Sequence, residues 1–413
     1  MPTNEKMSER PLTIVITGMG VVSPLGSGVE TFWSALCSGK NGIGPITRFD
    51  PTGFPYTRGG EVSDFRLPAE LEEAQGDADH GTQFMLKAAA EALQEARLIP
   101  APDDSEEIGV VVSTNFGGIL SGEELLAAAA GCADYGKWDF REFAFQTCAD
   151  RIADQWQLRG PRVCLSLSCA SGTAALAYGA ELIRAGRAKA VLTGGYDTLS
   201  RFAWSGLCAL RTMTKDAVRP FDRHRDGTIF SEGAGALVVE ELSHARRRKA
   251  PIHAIVRGYA CNNNAFHLTA PAKEGAGSAA VMRLALEDAD LPPEAVDHIN
   301  AHGTGTKPND VTETQAIKTV FGPHAYRIPV TSIKSMTGHM MGAAGSVEAI
   351  ASVLTLRDGI IPPTINFRER DPDCDLDYVV NTARRCPVTT VLSNSAGIGG
   401  CNAAVILSRA EIA

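Results

Sequence analysis

Three short segments carry the residue types that do chemistry. The first, 163–174, passes from an apolar run through Ser168 and Cys169 into Ala170, Ser171, Gly172 and Thr173. A strand that ends in a thiol and opens into small helical residues sets that thiol at a helix N-terminus. Free amides and the helix dipole favour a thiolate there, so the sequence predicts a lowered pKa for Cys169. The second segment, 299–313, puts His302 at a strand end, followed by Gly303, Thr304, Gly305 and Thr306. The third, 332–346, places Lys334 and His339 around another strand-to-helix turn. A lone cysteine of this kind is more often a core residue. Together the three segments supply one nucleophile and two neutral hydrogen-bond donors. That set suits acyl transfer through a thioester, followed by stabilisation of a developing enolate oxygen. It is poor for hydrolysis, because no carboxylate is evidently placed to orient either imidazole.

The elements that must hold these residues show as an alternation. Apolar runs at 12–17, 108–113, 163–168, 190–193 and 236–240 read as strands, as do 252–256, 296–301, 329–333, 391–393 and 403–407. Helical periodicity falls at 84–96, 171–185, 279–289 and 346–356. The pattern predicts an α/β fold with largely buried sheets. A charge run at 245–251 reads as a solvated junction between two halves, 1–250 and 251–413. Each half sends a strand into a helix through a chemistry-bearing turn, a similarity of element order rather than of residues.

The 413 residues carry 39 Lys plus Arg against 48 Asp plus Glu, a formal charge of −9, which disfavours nucleic acid or anionic membrane as a partner. An apolar share of 44% argues against disorder. Ten cysteines without a CxxC pair suggest a reducing cytoplasm and offer no zinc framework. The opening residues 1–11 lack the apolar core of a secretory signal, and 163–180 is too polar and short for a membrane span. Gly18-Met19-Gly20 starts like a dinucleotide fingerprint but has Ser23 and Pro24 where that motif needs glycine and helix. Gly303 to Lys307 lacks the spacing of a Walker loop.

In combination the motifs resemble the beta-ketoacyl carrier-protein synthases, decarboxylating condensing enzymes with a duplicated thiolase-like fold. The likeness runs from 17–26 to 395–400. It implies layers α-β-α-β-α with two mixed five-stranded sheets. It also implies that Cys169 accepts an acyl chain from a carrier-protein thioester, while His302 and His339 assist decarboxylation of a malonyl extender. Lys334 would support the histidines and pair with Glu313. Thr304 and Thr306 would hold the phosphopantetheine arm, and the amides of Cys169 and Ile398 would form an oxyanion hole. The resemblance implies no bound cofactor. An acyl carrier protein is the implied partner. Such carriers are acidic, so a basic patch is expected, with Arg211 and Lys215 before 219–223 as its candidates and ordinary surface charge as the other reading of both. A dimer is also implied, with a second copy or with a homologous chain-length subunit.

Several residues depart from the family pattern. Ala396 and Ile398 stand where the gating segment usually has Phe, which implies a wider acyl entrance. Phe116 replaces a smaller residue and would shorten or bend the acyl tunnel, or simply pack the core. Fatty-acid elongation and polyketide or polyene extension both fit. Two other classes stay open: a non-catalytic chain-length partner, against which the retained Cys169 argues, and a degradative thiolase using an acetyl donor.

Overall fold

The computed structural model describes residues 12–98, 107–131 and 140–410; the segment 1–11 with its signal-like question lies outside them. Among the described residues, the first half contributes strands β1 (Ile14–Ser23), β2 (Ile108–Ser113), β3 (Arg162–Leu165), β4 (Ala190–Asp197) and β5 (Gly233–Glu241). The second contributes β6 (Ala254–Asn263), β7 (His298–Asn300), β8 (Val330–Thr331), β9 (Thr390–Ala396) and β10 (Cys401–Arg409). Their order across the sheet is β3-β2-β4-β5-β1-β6-β10-β9-β7-β8. Within each half the path is the same: antiparallel from the first strand through the fifth to the fourth, then parallel to the second and third.

The two blocks, the first of which also carries the two-residue strand Gly26–Ser27 beside β1, are not separate sheets. Ile14–Ile16 pair antiparallel with Ala254–Val256, so the blocks fuse into one continuous sheet. The physical reason is that β1 and β6 would each be an unpaired, apolar edge, and pairing satisfies both rows of main-chain groups. The layers follow the expected sequence. Helices Ser171–Arg184 and Ala344–Asp358 pack on each other and on strands of both halves, forming the middle layer. Ala344–Leu356 is buried on every face, as a helix enclosed by two sheet blocks must be. Helix His80–Glu95 covers the outer face of the first block, and Ala276–Ala289 covers that of the second.

The glycines after β1 starts have a packing cause. A Cβ on Gly18 or Gly20 would lie 2.1 or 2.0 Å from the main-chain oxygens of Ala92 and Ala88. The helix His80–Glu95 therefore presses directly on β1, and its Glu95 and Glu91 accept the N–H groups of Met19 and Val21. The charge run at 245–251 is corrected: Leu242–Arg247 is a short helix, and Arg248 pairs with buried Glu240, so this stretch is anchored rather than a free loop. No helix among the described residues is long and apolar enough to cross a membrane. The stretch 163–180 is a strand, a turn and part of a buried helix.

Candidate active site

The turn after β3 is tightly tied. Ser171 Oγ accepts from Leu167 N at 2.8 Å and donates to Ser168 O at 2.6 Å. Ser168 sits at φ 51°, a left-handed conformation that β-carbon sterics disfavour. The strain turns the chain sharply, so that Cys169 stands just before helix Ser171–Arg184. Gly397 comes so close that a Cβ there would lie 3.1 Å from Cys169 N. The main-chain amides of Ile398 and Cys169 face the sulfur.

Burial pushes the Cys169 thiol up to about 11, against the pull of the Lys334 charge and of those two amides. This overturns the expectation of a lowered pKa. The helix end lies in the middle of the molecule, and loss of water outweighs the dipole. The resting group at neutral pH is the thiol.

His339 is fixed by main-chain pairing. Its N–H donates to Ile229 O at 2.8 Å, and its carbonyl accepts from Ser231 N at 3.0 Å. Met341 N donates to His339 Nδ1 at 3.1 Å, so the proton of this neutral ring belongs on Nε2. His302 follows β7, and its Nδ1 lies 3.4 Å from Lys334 Nζ. An ammonium only donates, so His302 too carries its proton on Nε2. The rings meet edge to face, centroids 5.5 Å apart. Burial, and then the Lys334 charge, hold both imidazoles well below their ordinary pKa; for His302 the His339 ring adds to this. Both are neutral donors.

Lys334 pairs with Glu348 on the middle helix, not with Glu313. Both side chains are almost fully buried, where an ammonium needs a counter-charge. Glu313 instead accepts the N–H groups of His302 and Gly303 at 2.7 and 2.8 Å and the Asn394 amide at 2.9 Å. It shapes the histidine loop while Glu348 holds the cation. The sequence did carry a signal for Glu348: between Ser335 and Leu356 it is the one Asp, Glu, Lys or Arg in an otherwise apolar or small-residue stretch.

Two cavities meet at Cys169. One, about 140 Å³, is lined by Cys169, His302, His339, Thr304 and Thr306. Thr304 and Thr306 hydroxyls lie 2.9 Å apart along it. The other, about 550 Å³, is lined by Phe116, Leu207, Leu210 and Met341 as well as Cys169. Ile398 and Phe230 border both. Phe230, missed in the sequence, packs its ring 5.4 Å from that of His339. Ala396 lines the first cavity. Arg211 and Lys215 are exposed on the loop whose Thr212 lines that same cavity.

A buried thiol and two donor imidazoles, brought together between two copies of one α/β unit, define a condensing enzyme of the thiolase-like class. The N-terminal domain of beta-ketoacyl synthases matches residues 12–245 and the C-terminal domain matches 253–368. The chain belongs to the beta-ketoacyl synthase family and is an acyltransferase of that condensing type. It is 39% identical over 407 residues to 3-oxoacyl-[acyl-carrier-protein] synthase 2 of Coxiella burnetii, covering 96% of this chain and 98% of the relative. It is 37% identical to the protein of the same description from Synechocystis, with 96% and 98% covered. Among solved structures it resembles the ishigamide ketosynthase/chain length factor, at 38% identity and TM-score 0.87, covering 97% of this chain and 100% of that one. It also resembles a chain from a type II polyketide ketosynthase solved in complex with its acyl-carrier protein, at 33% identity and TM-score 0.89, with the same coverage.

Proposed function

We propose that this chain extends an acyl group by decarboxylative condensation with a malonyl carrier protein. Cys169 attacks the acyl thioester, the carrier thiol leaves with a proton, and the acyl chain fills the 550 Å³ cavity. A malonyl arm then enters along Thr304 and Thr306. Its carboxylate leaves as carbon dioxide, and the electron pair of the broken bond forms an enolate. The Nε2–H groups of His302 and His339 meet the enolate oxygen. The enolate carbon attacks the Cys169 thioester, the amides of Cys169 and Ile398 hold the oxyanion, and its collapse releases the cysteine sulfur. Decarboxylation generates the carbanion without a strong base, which is what two neutral imidazoles suit. The observation that carries this reading is the convergence of Cys169 and the two rings at the junction of two cavities.

An acidic carrier protein docks at the rim. Arg211 and Lys215 lie there, joined by exposed Lys273 and Lys307 beside the lining residues Ala272 and Thr306. The working unit is a dimer with a second chain of this fold, identical or a homologous chain-length subunit. Among the described residues, strand β3 ends the sheet with no further strand beside it, whereas β8 at the other end is covered by main-chain pairing with Tyr378. Exposed Phe143 and Phe145 add apolar surface in the same half. The two halves, divided between β5 and β6, act as the nucleophile unit and the histidine unit.

The test is to supply an acyl carrier protein and a malonyl carrier protein to the purified chain. The expected result is release of carbon dioxide, a β-ketoacyl product, and acylation of Cys169 at one equivalent per site. Condensation with an acetyl donor and no carbon dioxide would establish a thiolase instead, and no acylation of Cys169 would establish a scaffold subunit.

A further inference from the structure

Thr228 stands out among the polar residues of the two cavities. It is 2% exposed, it lines the cavity shared by Cys169, His302 and His339, and its hydroxyl has no hydrogen-bond partner in the protein. Among the described residues, no other buried side-chain N or O that lacks a partner lines either cavity. Such a group costs free energy in the unliganded fold, so it calls for a ligand. Neighbouring polar groups are already engaged: Thr304 with Thr306, and the Asn402 amide with Asn262 and Asn264.

The main chain fixes where this hydroxyl sits. Thr228 N donates to Thr212 O at 2.9 Å, and Thr228 O accepts from Thr214 N at 2.9 Å. The next residue accepts the His339 N–H, and Phe230 pairs with His339 as an isolated bridge. In extended chain, residues two apart face the same side, and Thr228 and Phe230 both line this cavity. The hydroxyl is therefore deep, beside the aromatic wall and the imidazole.

We propose that Thr228 Oγ binds the carboxylate of the malonyl extender. This rests on the proposed condensation, in which the thioester oxygen goes to the two imidazoles and leaves the carboxylate as the remaining acceptor at this depth. One hydroxyl beside an aromatic ring orients the carboxylate without fully solvating it. The bond between the carboxylate carbon and the methylene then breaks, its electron pair enters the enolate, and carbon dioxide departs neutral. The hydrogen bond weakens as that charge leaves. It is strongest in the ground state, so its loss raises KM for the malonyl carrier and does not lower kcat.

The experiment compares Thr228→Val, which keeps the shape and removes the hydroxyl, with Thr228→Ser, which keeps the hydroxyl. Steady-state carbon dioxide release and the rate of Cys169 acylation by the acyl donor are measured on both. Thr228→Val should raise KM for the malonyl carrier about tenfold, as expected for loss of a hydrogen bond to a charged group. Its kcat should not fall and its acylation rate should stay near wild type, and Thr228→Ser should recover most of the affinity. An unchanged malonyl KM overturns the proposal. So does an equal loss in acylation, because the hydroxyl would then serve the arm common to both substrates. A wild-type chain that releases no carbon dioxide sinks the condensation itself, and that is seen before any variant is made.

Discussion

The two halves share a strand order and differ in one connection. In the first, the path from β3 to the middle helix is short, 166–170, and delivers Cys169 beside the helix start. In the second, the corresponding path from β8 is longer, 332–343, and contains the short helix Lys334–Thr337. That added chain carries Lys334 and His339. The loops after β2 and β7 also correspond: one holds Phe116 on the acyl cavity, the other His302 and Thr304 on the entrance cavity. Duplication thus supplies a common frame, and the connections assign the chemistry. Buried Asp197 at the end of β4 couples the two, accepting N–H groups from Asn115 and Phe116 on one side and from Gly342 on the other.

If the halves divide the labour, the reaction should come apart along the same line. Cys169→Ala should abolish acyl transfer while carbon dioxide is still released from malonyl carrier protein. His339→Ala should do the reverse: acylation of Cys169 persists, and carbon dioxide release falls by about 10²–10³, the usual loss for one oxyanion donor. Radiolabelled acyl and malonyl carriers measure the two half-reactions separately. Equal loss of both in either variant would break the comparison.

A second, smaller contrast is in pH. The first half offers a thiol whose pKa is pushed up to about 11, and the thiolate is the nucleophile. Acylation should therefore rise with pH by about tenfold per unit through the neutral range, where the thiolate fraction grows in that proportion. The second half offers imidazoles held well below 6.5, already neutral, so carbon dioxide release should be flat from about pH 6 to 8. Lys334→Met removes a positive charge that favours thiolate and neutral imidazole alike. Both sets of pKa values should rise, bringing an imidazole limb toward neutral pH in the carbon dioxide assay. The variant also leaves Glu348 buried without its cation, a destabilisation of about 3–5 kcal/mol measurable by denaturant titration.

Much of this arrangement was legible in residues alone, for a physical reason. Strands enclosed on both faces must be apolar, so most of them show as apolar runs, give or take their ends. Strand β6 is the exception, because from Arg257 to Asn263 it carries polar and exposed residues and only Ala254–Val256 falls within a run. Helix Lys307–Phe321 was missed because its first two turns are polar, and Asp310 and Glu313 there serve the histidine loop rather than solvent. Helix Arg201–Ala209 escaped because it is short and its buried face of Ala203, Trp204 and Leu207 is interrupted by Ser205 and Gly206. Cys169, His302 and His339 were legible as a set, since few other roles need those types at strand ends. Depth was not legible. The sequence cannot show that the thiol lies inside the molecule, and so it gave the wrong direction for its pKa. Nor does it show which carboxylate meets Lys334, because partners are chosen by packing across layers.

The finest distinction lies between the two cavities themselves. Phe116 is half-buried, faces the acyl cavity and packs among Trp204, Leu207 and Phe230. If its ring limits the tunnel, Phe116→Ala opens apolar space that further methylenes can fill. Each methylene gains about 0.8 kcal/mol there, roughly a fourfold preference per carbon, so the product distribution should move toward longer chains. Ile398→Phe acts in the opposite sense. Ile398 borders both cavities beside Cys169, so an aromatic ring at this place narrows the passage between them. Longer acyl donors should then acylate Cys169 more slowly, while short donors are little affected. Mass spectrometry of the chains carried by Cys169 reads both variants. Should Phe116→Ala lower thermal stability and leave chain length where it was, the ring is core packing, and the tunnel is limited elsewhere along helix Arg201–Ala209.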